Sequence, residues 1–168
     1  MTTDLPPLTV VQCDSDETLY RTHIGAAIRF AYLLSGDQAT AQDIAHDAFL
    51  RCAPKVGALR QGDRFGGYLR RAVLREALSR RRSAEREQRR IERFTQTQQL
   101  TAGEPPDRAD LLDALGSLPE RQRAALVLRY WNDLPEREIA RLLRCRPGTV
   151  KSLLSRGLAT LKMEIGDA

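Results

Sequence analysis

The sequence predicts an all-α protein made of two small helical domains joined by a flexible linker. Apolar residues recur at helical spacing through most of the 168 residues. Aromatic residues make up only 5% of a chain that is 42% hydrophobic, so its cores should be rich in Leu, Ala and Val. Apolar periodicity is lost at 95–108 (TQTQQLTAGEPPDR), which we interpret as the linker. The predicted order is a disordered start at 1–16, a domain at 17–94, the linker at 95–108 and a domain at 109–168.

In the first domain, apolar residues at helical spacing predict a helix over 17–34, which Ser35-Gly36 ends. Asp37 is a suitable N-cap for a second helix, from Gln38 to about Cys52. On that helix Asp43 and Asp47 lie four residues apart and share one face. Two interpretations stay open: a solvated acidic face, or a docking face for a basic partner.

After a loop at 53–63, a long basic helix is predicted from Tyr68 onwards, with Phe65 and Tyr68 at its start. Aromatic rings beside arginines suit single-stranded nucleic acid, since bases stack on the rings while guanidinium groups hold phosphates. On these residues alone the alternative is slightly favoured: two core aromatics and a solvated arginine face. We expect His23, in the first helix, to be a surface or half-buried residue without a ligand role.

The second domain is organised around residues 136–162, which read as two helices joined by a tight turn at 144–148. In the second of these helices, Lys151, Ser152, Ser155 and Arg156 fall opposite the apolar face. A small, polar and basic face at the start of a helix can enter the DNA major groove. The alternative is an ordinary helical hairpin with a solvated basic face.

Composition and charge exclude several other classes of protein. The net charge of +5 fits a polyanionic partner. The three cysteines are widely spaced and have no metal-ligand spacing with either histidine, so we expect reduced thiols, no metal and no cofactor. No signal peptide or membrane-spanning apolar run is visible, which predicts a cytoplasmic protein without membrane insertion. No set of catalytic side chains stands out, so we do not expect an enzyme.

Three runs of sequence carry a resemblance to a known family. LGSLPERQRAALVLRYWNDLPEREIARLLRCRPGTVKSLLSRGLATLK is similar to region 4 of bacterial sigma factors of the extracytoplasmic-function (ECF) type, within the sigma-70 family. YLLSGDQATAQDIAHDAFLRC followed by FGGYLRRAVLREALSRRR resembles their region 2. Together the two regions cover about residues 17–94 and 109–163.

The resemblance implies a factor that binds core RNA polymerase and directs promoter-specific transcription initiation. It places docking on the polymerase clamp coiled coil at Asp43, His46 and Asp47, and contact with the polymerase flap on the apolar outer surface of region 4. The implied −10 reading and melting residues are Phe65, Tyr68, Arg71, Arg75, Ser79 and Arg82. The implied −35 reading residues are Lys151, Ser152, Ser155 and Arg156, with Arg146 and Thr149 near phosphates. Many relatives are held by an anti-sigma factor, which is a further possible partner.

The sequence departs from the family pattern at several positions, which predicts a divergent promoter or weaker −35 binding. Frequent family residues are replaced by His46, Arg75, Ser79, Pro135, Arg144, Leu153 and Gly157. Gly157, in place of a common Ala, should cost the helix about 1 kcal/mol.

The rival hypothesis is a conventional helix-turn-helix regulator that binds duplex DNA as a dimer without polymerase. Residues 17–94 show no phosphoacceptor pocket and no βα pattern, which counts against it. Dependence on polymerase discriminates between the two.

Overall fold

The computed structural model describes residues 11–58, 65–91 and 106–166, and every regular element in these ranges is helical, as predicted. A 3₁₀ segment, Ala53–Ala58, follows the second helix, and a π-helical turn, Val127–Trp131, continues the fifth. The seven α-helices of the described ranges are α1 Val11–Ser35, α2 Gln38–Cys52, α3 Phe65–Ile91, α4 Pro106–Ser117, α5 Glu120–Leu126, α6 Glu136–Leu142 and α7 Pro147–Gly166.

The N-terminal half, residues 11–91, is a bundle in which α1, α2 and α3 all contact one another. Gly36, with φ of 78°, ends α1, and its N–H donates to the Tyr32 carbonyl oxygen at 2.8 Å. Asp37 caps α2 as predicted, because its carboxylate accepts the Thr40 N–H at 2.7 Å. That hydrogen bond lowers the pKa of Asp37. The turn and the cap together fix how α2 folds back on α1.

The C-terminal half, residues 106–166, is organised around α7, which α4, α5 and α6 contact. Leu128, Ile139 and Val150 are fully buried at these crossings. At Gly157 the helices approach closely: a Cβ added there would lie 2.8 Å from Cδ1 of buried Leu126. Glycine at position 157 lowers the helix propensity of α7, but it also allows α5 and α7 to cross closely. A larger residue at this position would obstruct the crossing.

The two halves pack directly against each other. α1 contacts α4, α5 and the π-helical turn, and α3 contacts α5. Buried apolar residues from both halves belong to one hydrophobic cluster. Arg123 of α5, 3% exposed, donates from one guanidinium nitrogen to the Leu34 carbonyl oxygen of α1 at 3.0 Å. Its other terminal nitrogen donates to the Gly116 carbonyl oxygen of α4. The sequence analysis did not predict this contact.

Some predicted boundaries differ from the observed ones. α1 begins at Val11, six residues before the predicted start of the first helix, while residues 1–10 lie outside the described ranges. Residues 11–16 are mostly polar and carry no apolar periodicity that could have marked a helix. α3 begins at Phe65, three residues early. α4 begins at Pro106, since proline suits the first turn of a helix, and the rest of the predicted linker lies outside the described ranges.

The turn between α6 and α7 contains a backbone conformation that disfavours most side chains. Arg144 has φ of 50°, and by the sequence resemblance it replaces a glycine that is usual at this position. The next residue closes the turn, with the Cys145 N–H donating to the Ala140 carbonyl oxygen at 2.9 Å. The backbone of Arg144 therefore adopts the left-handed conformation at a cost in conformational free energy, because Arg144 has a Cβ atom.

We expect Gly157→Ala to lower the free energy of unfolding by about 1 kcal/mol. Overpacking against Leu126 costs about 2 kcal/mol, and the gain in helix propensity returns about 1 kcal/mol. Urea denaturation measures the difference. The matched control is Gly148→Ala in the same helix, where nothing lies within 4 Å of an added Cβ and we expect no loss. A Gly157→Ala variant more stable than wild type would contradict the tight crossing.

We expect Arg144→Gly to raise the free energy of unfolding by about 0.5 kcal/mol. Relief of the left-handed conformation gains about 1–2 kcal/mol, and the greater freedom of glycine in the unfolded chain takes back about 0.5–1 kcal/mol. The control is Arg141→Gly, inside α6, which should destabilise by about 1 kcal/mol. Thermal unfolding of both variants separates these outcomes, and loss of stability in both would show that Arg144 makes contacts that outweigh its strain.

Candidate nucleic-acid and partner interfaces

The helix-turn-helix is held in place by backbone hydrogen bonds and one arginine. The Arg146 carbonyl oxygen accepts the N–H groups of Thr149 at 2.9 Å and Val150 at 3.3 Å, which starts α7 immediately after the turn. Arg121 of α5 donates to the Leu143 carbonyl oxygen at 2.8 Å, which ties the end of α6 to the rest of the half. The turn therefore has a defined position relative to α5.

The residues that the resemblance implies for −35 reading lie on the outer face of α7, apart from Arg146, which immediately precedes the helix. The buried side of the helix is formed by Val150, Leu154 and Gly157. Ser152 Oγ donates to the Gly148 carbonyl oxygen at 3.2 Å, so its hydroxyl presents an acceptor outwards. Leu153 is partly buried against the core, which gives a packing reason for an apolar residue there. The exposed residues are Arg146, Thr149, Lys151, Ser152, Ser155 and Arg156.

The acidic face of α2 is paired to a cation of the same chain. Asp43 and Asp47 have side chains that are 72% and 44% exposed. Arg80 of α3 hydrogen-bonds to Asp47, lies 3.8 Å from Asp43, and donates from Nε to Glu76 at 3.1 Å. Arg51 also contacts Glu76, at 2.6 Å. The acidic face is therefore neither simply solvated nor fully free. The pairing with Arg80 was not predicted from the sequence.

His46 lies on α2 between the two aspartates but turns towards α1. Its Nε2 is 2.8 Å from the Tyr20 hydroxyl oxygen, and the two rings stack with centroids 5.9 Å apart. Tyr20 in turn packs edge-on against Phe49 at 5.1 Å. These contacts fix the orientation of His46 and leave only part of its ring accessible.

Phe65, which the resemblance implies as a −10 residue, has a completely buried side chain in this structure. Its ring packs against Phe49 at 5.7 Å and against half-buried His23 at 5.2 Å. Phe65 is a core residue, which is the alternative that the sequence analysis favoured on those residues alone. Tyr68 is half-buried, with the Lys55 ammonium 5.9 Å from its ring centroid.

The basic face of α3 lines a cleft between the two halves. Arg71, Arg75 and Arg82 are exposed, as is Ser79. The cleft has a volume of about 760 Å³ and its other wall comes from α5, α6 and the turn after α6. The α3 arginines could be identified from the sequence but the residues opposite could not, since nothing local in a sequence shows which helix faces which. The cleft is lined by Arg71, Leu74, Arg75, Leu78, Arg82, Glu120, Arg121, Arg141, Leu142, Leu143 and Arg144.

Within the described ranges, no group of His, Cys, Asp or Glu side chains could hold a metal ion. Cys52 is buried and Cys145 is half-buried, and both are free thiols. Burial raises the pKa of Cys52, which keeps that thiol protonated at neutral pH. None of the described helices combines the length and apolar character needed to cross a membrane.

Comparisons with known proteins match both halves of the chain. The family model for sigma-70 region 2 matches residues 19–87, and the model for sigma-70 region 4 matches residues 108–161. The RNA polymerase sigma-E factor of Streptomyces coelicolor is 33% identical over 150 residues, covering 89% of this chain and 85% of that protein. The ECF RNA polymerase sigma factor SigE of Mycolicibacterium smegmatis is 33% identical over 158 residues, covering 87% and 60% respectively.

A solved structure shares the fold across both halves. The sigma factor RpoE of Bartonella quintana, in a co-crystal with the anti-sigma factor NepR, superposes with a TM-score of 0.71 at 23% identity, covering 89% of this chain and 96% of that one. Region 2 precedes region 4 in this chain, and the matches to the sigma-E factor span both regions. The chain belongs to the sigma-70 family, as an ECF sigma factor that directs RNA polymerase in transcription initiation.

Proposed function

We propose that this sigma factor docks on core polymerase through α2, holds the melted −10 strand with the basic face of α3, and reads the −35 duplex with α7. The observation that carries the proposal is the outer face of α7, where five of the six implied −35 residues are exposed, with the sixth, exposed Arg146, immediately before the helix. The proposed domain division follows the same assignment, with region 2 at 17–94 and region 4 at 109–168.

For −35 reading, the first turns of α7 would enter the major groove. Lys151 and Arg156 can reach guanine edges or phosphates, while Ser152 and Ser155 allow close approach and hydrogen bonding. Arg146 and Thr149 flank the N-terminus of α7, where the helix dipole also favours a phosphate. The apolar residue Leu153 is engaged in packing and contributes no charge, so the phosphate grip of α7 rests on these few cations.

For the −10 element, Arg71, Arg75 and Arg82 would hold the phosphates of the separated strand and Tyr68 would offer an aromatic edge to a base. Ser79 completes this face. In the packed arrangement these arginines form one wall of the cleft between the halves. A strand that contacts them must therefore enter the cleft, or the halves must move apart.

For polymerase docking, we assign Asp43 and Asp47 to a basic partner surface, with His46 held beside them by Tyr20. The basic groups of that partner would compete with Arg80 for the two carboxylates. In the C-terminal half, the exposed aromatic side chains of Tyr130 and Trp131, 65% and 52% exposed, offer an apolar surface for the polymerase flap. Aromatic residues of this kind are enriched in protein interfaces.

An anti-sigma factor is a further partner that we propose, on the strength of the fold shared with the RpoE chain of the NepR complex. The factor would act in the cytoplasm, where polymerase and promoter DNA are found, and would contribute binding surfaces rather than an active site of its own. A conventional regulator that binds DNA without polymerase is not favoured, since the relatives at 33% identity are named as RNA polymerase sigma factors.

The −35 assignment is tested by transcription with purified core polymerase on a library of promoter fragments. We expect starts that depend on this protein and share two motifs at fixed separation. Lys151→Ala combined with Arg156→Ala should reduce −35-dependent initiation by at least about tenfold, since each lost base contact is worth about 1–3 kcal/mol. Affinity for core polymerase should not change. Lys162→Ala, an exposed lysine further along α7, is the control. Equal loss of initiation and of polymerase binding would mean that the DNA face is misplaced.

The docking assignment is tested by reversing one charge. Asp43→Lys should weaken binding to core polymerase by at least about tenfold, because it places a cation against a basic partner surface. Asp43 is the better site than Asp47, since its contact with Arg80 is the longer one and its loss disturbs the fold less. Asp113→Lys, at an exposed position on α4, is the matched control. Wild-type polymerase affinity in the Asp43→Lys variant would rule out this face.

A further inference from the structure

The cleft between the halves gathers an unusual concentration of positive charge. Three of its arginines come from α3, namely Arg71, Arg75 and Arg82. Three come from the opposite wall, namely Arg121, Arg141 and Arg144. All six are exposed, and among the residues that the structure describes Glu120 is the one carboxylate that lines the same cleft. Guanidinium groups from two separate parts of the chain therefore face one shared volume.

These charges are not neutralised within the part of the chain that the structure describes. The ion pairs seen between Glu17 and Arg21, and around Glu76 and Arg80, lie elsewhere, and none of them joins a cleft arginine to a carboxylate. Arg82 and Arg121 donate only to backbone carbonyl oxygens, of Leu78 and Leu143. Each cleft arginine keeps donors that can turn towards a bound anion.

The surrounding interface is also electropositive. Buried Arg123 has its pKa lowered to about 10, first by loss of solvent and then by the positive charge of Arg81, while Glu120 acts in the opposite direction. Packing the halves together therefore brings cations close to one another. An anion bound between the walls would offset that repulsion.

We propose that this cleft is a binding site for a compact polyphosphate anion, that is, a chain of two or more phosphates, either free or carried by a nucleotide. Arginine forms bidentate hydrogen bonds with phosphate oxygens, and six such groups on two walls can surround a phosphate chain. The volume of about 760 Å³ lies in the range of small-molecule sites. Leu74, Leu78, Leu142 and Leu143 supply apolar surface that a nucleobase could cover.

The anion would favour the packed arrangement of the two halves, because both walls are needed to form the site. A ligand that binds one arrangement more tightly shifts the population towards it. The site shares Arg71, Arg75 and Arg82 with the proposed −10 surface, so this consequence rests on the proposed function: a bound anion would keep those arginines from DNA. Binding of the anion itself requires no promoter.

Isothermal titration of the full chain, in EDTA at physiological salt, tests the proposal with inorganic tripolyphosphate, ATP and a hexaglutamate peptide as probes. Arg141→Gln combined with Arg144→Gly should weaken tripolyphosphate binding at least about tenfold, as expected for lost hydrogen bonds between charged groups. Arg29→Gln combined with Arg137→Gln removes the same charge from exposed positions outside the cleft, and should change affinity less than about twofold. Equal affinities for ATP and tripolyphosphate identify the phosphate chain as the recognised group, and tighter binding of ATP adds the base.

Three results would overturn the proposal: no binding of either phosphate probe, equal losses in the cleft and control variants, or hexaglutamate binding as tightly as tripolyphosphate. The first result would mean that the cleft binds no phosphate anion. The second would mean that binding reflects general surface charge, and the third would mean that the cleft binds an acidic peptide. Promoter-dependent initiation without added anion should stay within about twofold of wild type in the cleft variant, because neither substituted residue belongs to the proposed DNA-reading sets. A negative anion-binding result would therefore not affect the test of the proposed function by transcription initiation.

Discussion

The arrangement of this sigma factor depends on one buried cation, the guanidinium group of Arg123. It donates to carbonyl oxygens in the last turns of two helices, Leu34 in α1 and Gly116 in α4. Those carbonyl groups form the negative ends of helix dipoles and have no partner within their own helices, so a cation satisfies them well. Burial lowers the pKa of Arg123 to about 10, yet the group remains charged at neutral pH. Because one carbonyl belongs to each half, this residue helps to set the position of the helix-turn-helix against the N-terminal bundle.

The position of the helix-turn-helix against the N-terminal bundle leaves some of the proposed surfaces exposed and places others in the cleft. The acidic face of α2 and the outer face of α7 point to solvent, with Arg80 as the cation that a docking partner must displace. The arginines of α3 that would hold a melted strand instead lie in the cleft between the halves. Under the proposed assignments, polymerase docking and −35 reading can begin while the halves are packed, whereas −10 contacts depend on entry into the cleft or on its opening. An anion in the cleft would act on that last step alone.

The sequence predicted the features that local periodicity determines. The helical class, the cap at Asp37 and the exposed side of α7 all follow from spacing within one element. Phe65 could not be assigned this way, since an aromatic residue at the start of a helix looks the same whether it packs or stacks on a base. From the sequence alone, Gly157 only lowers the helix propensity of α7. Its role in the close contact with Leu126 is visible only in the structure. Arg123 resembles its exposed neighbour Arg121 in sequence, and its burial depends on a helix 89 positions away.

The most direct test of this account is small-angle X-ray scattering of the full-length protein, comparing wild type with Arg123→Glu. The substitution places a negative charge against two helix carboxyl ends, so the halves should separate and the radius of gyration should increase. Circular dichroism would establish that the helices remain folded, and Arg29→Glu, at an exposed position on α1, is the control. A larger radius in Arg123→Glu alone is the predicted result. Equal radii for wild type and Arg123→Glu, with helices intact, would contradict the claim that Arg123 holds the halves together.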